Sequence, residues 1–101
     1  MVFVTVACFK ELKSKGRELV EVNSEKIVLF LPEGKIYALN SICPHKGGPL
    51  DGGELVEEEI ICPLHCFEFN IKTGVCLNPL SFSVRNYLVK LENDEISIAV
   101  D

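Results

Sequence analysis

The chain has 101 residues, and its fifteen Asp and Glu against ten Lys and Arg give a formal charge of −5. That length excludes a nicotinamide-binding domain beside a separate substrate domain, and the acidic balance argues against nucleic acid as a partner. With 48% hydrophobic and 25% charged residues, a folded body is expected rather than disorder. No apolar run approaches the roughly 18 residues that span a bilayer. The opening Met1–Val6 segment lacks the charged leader of a signal peptide. The expectation is one domain, residues 1–101, working in the cytoplasm.

Apolar residues fall in short runs and alternations. Val2–Ala7, Glu18–Val22 and Lys26–Leu31 predict strands, with Phe9–Lys15 the one stretch suited to a turn or so of helix. Leu31-Pro32-Glu33-Gly34 predicts a turn, since proline fixes φ and glycine permits positive φ. Lys35–Leu39 predicts a returning strand. Ser41–Gly53 breaks the rhythm: six of its thirteen residues are glycine or proline, which predicts a loop. A second loop surrounds Cys62-Pro63-Leu64-His65-Cys66. Beyond it Phe67, Phe69 and Ile71 alternate with Glu68, Asn70 and Lys72, the pattern of a half-buried strand. Lys72-Thr73-Gly74 predicts a turn before Val75–Leu77. Tyr87–Leu91 and Glu95–Val100 predict a final hairpin around Asn93-Asp94. Many short strands between turn signals predict an all-β antiparallel sandwich or barrel with two loops standing out as fingers.

Five cysteines is an odd number for a disulfide framework, and only two histidines occur, His45 and His65. Each histidine lies within three residues of a cysteine. The first finger carries Cys43-Pro44-His45 and the second Cys62-Pro63-Leu64-His65, with sixteen residues between His45 and Cys62. Two thiolates and two imidazoles complete a ligand set. Zinc accepts that set, although zinc-finger ligands pair like with like in sequence. A [2Fe–2S] cluster with two histidines on one iron accepts it as well, and each finger then gives one ligand to each iron.

Cys43-Pro44-His45-Lys46-Gly47-Gly48-Pro49-Leu50 followed by Cys62-Pro63-Leu64-His65-Cys66-Phe67-Glu68-Phe69 resembles the Rieske iron–sulfur family. The resemblance extends from about Tyr37 to Pro79 and is nearest to the small soluble Rieske ferredoxins, with the small subunit of NAD(P)H nitrite reductase close by. It implies three small antiparallel sheets, with the cluster-binding region at about 41–69. It implies one Rieske [2Fe–2S] cluster held by Cys43, His45, Cys62 and His65, the cysteines on the inner iron and the histidines on the outer. It implies an electron carrier, not an enzyme, that takes one electron from a flavin-dependent reductase to an oxygenase or other terminal redox enzyme. A zinc-bound or redox-sensing interaction module is the contrasting class.

Some positions depart from the family pattern. Cys66 stands where the family usually has glycine, and reads as a tolerated small residue or as a redox-active thiol. Phe67 and Phe69 stand where high-potential members place hydroxyls toward the cluster sulfurs, and Gly48 and Leu64 where those members carry a disulfide. The low end of the Rieske potential range is implied. Cys8 and Cys76 read as ordinary buried thiols. Asp51, Glu54, Glu57, Glu58 and Glu59 read as a solvated hairpin or a docking surface for a basic partner, and Lys10, Lys13, Lys15 and Arg17 as a solvated basic patch.

Overall fold

Strand β3 (Glu25–Phe30) is buried on both faces, and the architecture follows from that. In the computed structural model, which describes residues 1–42, 50–62, 68–77 and 83–100, β3 lies inside a four-stranded antiparallel sheet. Its neighbours are β2 (Arg17–Val22) on one side and β4 (Tyr37–Asn40) on the other, with β8 (Asn86–Tyr87) beyond β4. Successive side chains on a strand point to opposite faces. Ile27 and Leu29 therefore enter one core while Val28 and Phe30 enter another.

The first core is roofed by a second sheet in the order β1, β10, β9. These are β1 (Val2–Cys8), β10 (Glu95–Val100) and β9 (Val89–Glu92). Val2 pairs with Val100 and Cys8 with Glu95, with a register shift between Thr5 and Ala7. Helix α1 (Phe9–Lys15) adds Leu12, fully buried, to this core. Gly16 ends the helix at φ 84°, its N–H bonded to the Leu12 carbonyl at 2.7 Å. The second core lies under a sheet of three short strands, β5 (Glu54–Val56), β6 (Glu59–Ile61) and β7 (Glu68–Asn70). It contains Leu50, Ile60, Cys62, Phe69, Ile71, Cys76 and Val84.

Three antiparallel sheets agree with the expected class. Two-residue turns with positive φ, Asn23-Ser24 and Asn93-Asp94, close the β2–β3 and β9–β10 hairpins, as polar residues that tolerate that region allow. The structure differs in three places. The expected Tyr87–Leu91 strand is divided at Leu88: Tyr87 pairs with Ala38 in the central sheet, while Val89 pairs with Ile98 in the other. Lys35–Leu39 begins its pairing only at Tyr37, after a 3-10 turn at Pro32–Gly34. Val75–Leu77 forms isolated bridges, Phe69 to Cys76 and Val75 to Ser83, rather than a strand. Among the described residues no helix is long and apolar enough to cross a membrane.

Candidate metal centre

Both expected fingers spring from the second core, and described residues fix their bases. At the first, the Leu50 N–H donates to the Ser41 carbonyl at 2.6 Å, joining the chain across residues 42–49. The Ser41 hydroxyl donates to Asp51 Oδ1 at 2.8 Å and accepts the Asp51 N–H at 3.2 Å. Ser41 is buried, so this reciprocal pair satisfies a hydroxyl that would otherwise be costly to bury. Asp51, expected as part of an acidic surface, is thus engaged in the neck of the finger.

At the second finger, Ile61 and Glu68 are cross-strand partners. Cys62 is the first residue beyond that pair and is fully buried in the core shared with Phe30, Leu50 and Phe69. Phe69 therefore belongs to the core around the finger base. Past β7, the Asn70 side-chain carbonyl accepts the N–H groups of Lys72 and Thr73 at 2.9 and 3.2 Å. Gly74 at φ 81° completes the expected turn, a conformation that costs glycine nothing.

Of the four expected ligands, Cys62 is placed as described. Cys43, His45 and His65 lie outside the described residues, as do Cys66, Phe67, Gly48 and Leu64. The residues that are placed suit an iron–sulfur group. A cysteine at the mouth of a hairpin, fully buried among apolar side chains, offers sulfur in a dry, low-dielectric setting. The neck of the other finger is built into the same core through Leu50.

Two other expectations change. Cys8 is not a buried thiol: it is half-buried, and its Sγ donates to Asp94 Oδ2 at 2.7 Å. Cys76 is buried as expected. Arg17 is not a solvated base. Its Nη1 donates to the carbonyls of Asp51 and Gly53 at 2.9 and 2.6 Å, and its guanidinium lies 5.3 Å from the centre of the Phe30 ring. The sequence reading missed Arg17; the available signal was an arginine, the fork-shaped donor, among lysines. Of the acidic run, Glu54, Glu57 and Glu58 are exposed, and Glu58 pairs with Lys72 at 2.8 Å.

The model of the Rieske [2Fe–2S] domain matches residues 2–87. The chain belongs to the Rieske [2Fe–2S] family. Like other members, this Rieske protein has a Rieske-type [2Fe–2S] cluster as its cofactor, which decides between the zinc and iron–sulfur readings that the ligand spacing left open. It is 33% identical over 100 residues to the ferredoxin component of the naphthalene 1,2-dioxygenase/salicylate 5-hydroxylase systems of Ralstonia sp., covering 98% of this chain and 96% of the relative. It is 36% identical over 80 residues to the ferredoxin component of the naphthalene 1,2-dioxygenase system of Pseudomonas putida, covering 78% and 77%. The ferredoxin of carbazole 1,9a-dioxygenase from Nocardioides aromaticivorans IC177 superimposes with a TM-score of 0.89 at 30% identity, over the whole of both chains. The Rieske protein is an electron carrier of the ferredoxin type, not a catalytic subunit.

Proposed function

We propose that this chain accepts one electron from a flavin-dependent reductase and delivers it to the terminal oxygenase of a dioxygenase-type system in the cytoplasm. On this reading Cys43 and Cys62 hold one iron and His45 and His65 the other, within a single domain, residues 1–101, whose cluster-binding region is 41–69. The observation that carries it is the likeness to oxygenase-system ferredoxins along nearly the entire chain, and the burial of Cys62 at a hairpin mouth supports the ligand set.

The cluster, when bound, supplies a one-electron couple. The chain's own residues supply the rest. Cys62 is fully buried in the core it shares with Val28, Phe30, Leu39, Leu50 and Phe69, which keeps water from that residue. The necks at Ser41–Asp51 and Ile61–Glu68 fix where each finger leaves the body. Substrate bonds are made and broken elsewhere, so this chain needs no cavity for a substrate.

The test is the electron paramagnetic resonance spectrum of the dithionite-reduced protein, with iron and acid-labile sulfide analysis. The expected result is a Rieske spectrum that His45→Ala and His65→Ala each abolish, because either removes half of one iron's protein ligands. A colourless zinc protein, or an unchanged spectrum in His65→Ala, overturns the ligand assignment. Reduction of a ring-hydroxylating oxygenase by the pre-reduced protein tests the proposed acceptor.

A further inference from the structure

We propose that Arg17 is a positioning residue for the metal centre, clamping the exit of the first finger against the strand that delivers Cys62. The proposal rests on the ligand reading above, in which both fingers carry ligands. Gly16, at φ 84°, ends α1 and turns the chain directly into β2. Arg17 is then the first residue of that strand and stands opposite Phe30 in the ladder. Side chains of directly opposed residues share one face, so the guanidinium comes to lie over the Phe30 ring, on the side of the sheet where the fingers are rooted.

From there one nitrogen reaches two carbonyls, those of Asp51 and Gly53, 34 and 36 residues further along the chain. These two carbonyls flank Gly52, the last residue of the 3-10 turn Leu50–Gly52 with which the first finger re-enters the body. Both bonds are charge-assisted and partly buried, the class that is strongest and most costly to leave unmade.

Gly53 gives the clamp its second effect. A Cβ on Gly53 would stand directly against the Ile61 carbonyl oxygen, with Ile60 Cδ1 at 3.2 Å. Gly53 is therefore the point where the exit of the first finger presses on β6, one residue before Cys62. By holding the Gly53 carbonyl, Arg17 sets the spacing between the two finger bases through a backbone contact. A solvated surface base would not have the paired carbonyls.

The experiment compares the wild-type holoprotein with Arg17→Met, Arg17→Lys and the control Lys13→Met, an exposed neighbouring base. The readouts are the rate at which the visible absorption bleaches in a ferrous-iron chelator, the paramagnetic resonance line shape of the reduced cluster, and the thermal midpoint. Arg17→Met is expected to bleach at least about tenfold faster, the factor for losing even one of its two charge-assisted hydrogen bonds, and to broaden or shift the resonance. Arg17→Lys keeps the charge but ends one bond short of the two carbonyls and lacks the planar group over Phe30, and is expected between the two. Lys13→Met is expected to match the wild type. A merely structural role lowers the midpoint and leaves the line shape alone; that outcome, or wild-type bleaching in Arg17→Met, overturns the proposal. Should Arg17→Met fail to fold, Arg17→Lys decides, since a wild-type rate and line shape there overturn it equally. A wild-type protein without a Rieske spectrum overturns the ligand reading instead, so the two failures are distinct.

Discussion

The two cores on either side of the central sheet are built by different means. The one beneath β1, β9 and β10 is closed by long ladders, with six residue pairs between β1 and β10 alone, and by the helix residue Leu12. The one at the candidate metal centre has strands of three residues, and the segments between them are held by side chains bonded to backbone: Arg17 to Asp51 and Gly53, Ser41 to Asp51, Asn70 to Lys72 and Thr73. A ladder repeats one bond many times and tolerates single losses. A set of individual clamps does not, but it lets short irregular segments be placed accurately, which ligand-bearing loops require.

The largest contrast should come from emptying each core. Phe69→Ala, in the core that holds Cys62, should cost about 3–5 kcal/mol by the cavity it leaves. Ile98→Ala, fully buried in the other core, should cost about 2–5 kcal/mol. Urea titration should register both. Iron analysis of the folded fraction should separate them, falling in Phe69→Ala and staying at one cluster per chain in Ile98→Ala. Equal iron loss in both would mean that the cores are not distinct in function.

A sharper contrast uses two glycines of nearly equal φ. Gly16 and Gly74 sit at 84° and 81°. A Cβ on Gly16 meets nothing within 4 Å, whereas one on Gly74 would press on the Val84 carbonyl oxygen. Gly16→Ala should cost about 1–2 kcal/mol, the left-handed backbone alone. Gly74→Ala should add about 1–3 kcal/mol of overpacking. The difference between the two denaturation free energies measures the crowding particular to the metal-centre side.

The smallest effect concerns a polar feature of the otherwise apolar half. Tyr87 is buried there, its hydroxyl donating to Glu25 at 3.2 Å and accepting from Asn40 at 3.3 Å. Burial, with the Glu25 charge adding to it, holds the phenol above its ordinary value of 10.0. The folded state therefore keeps this proton to higher pH than the unfolded state. The stabilisation is complete below about pH 10 and is lost as pH rises through the folded-state value. Tyr87→Phe lacks that titration, so the stability gap between wild type and variant should narrow above pH 10 in denaturation series taken at stepped pH. A gap that widens would reverse the assignment.

The candidate ligands stood out because histidine is scarce and both copies sit near cysteines; of the four, only Cys62 lies among the described residues. The sheets were legible because period-2 alternation survives in single hairpins. What escaped detection is non-local. Tyr87–Leu91 looks continuous because no glycine or proline marks the change of sheet at Leu88, and residues on both sides of it are apolar. Cys8 occupies the last position of β1, where its polarity is decided by Asp94 in a distant hairpin. Arg17 joined a basic patch in the sequence because charge is visible there and a carbonyl 34 residues away is not. Ser41 similarly looked like the edge of a loop, and only its bonds to Asp51 reveal it as the neck.

Pairing Val2 with Val100 also sets a schedule for synthesis. Strand β1 leaves the ribosome long before its partner β10, so everything between is translated before the roof of the core around Leu12 can close. Until then β1 presents an unpaired edge and Ile27 and Leu29 lack their cover, the condition in which nascent β proteins associate wrongly. The β2–β3–β4 meander can form meanwhile from neighbouring hairpins, and the non-local β1–β10 ladder comes late and slowly. Packing of the core that holds Cys62 can therefore precede closure of the far side. A ribosome-stalled chain lacking β10 offers the way to see whether it does.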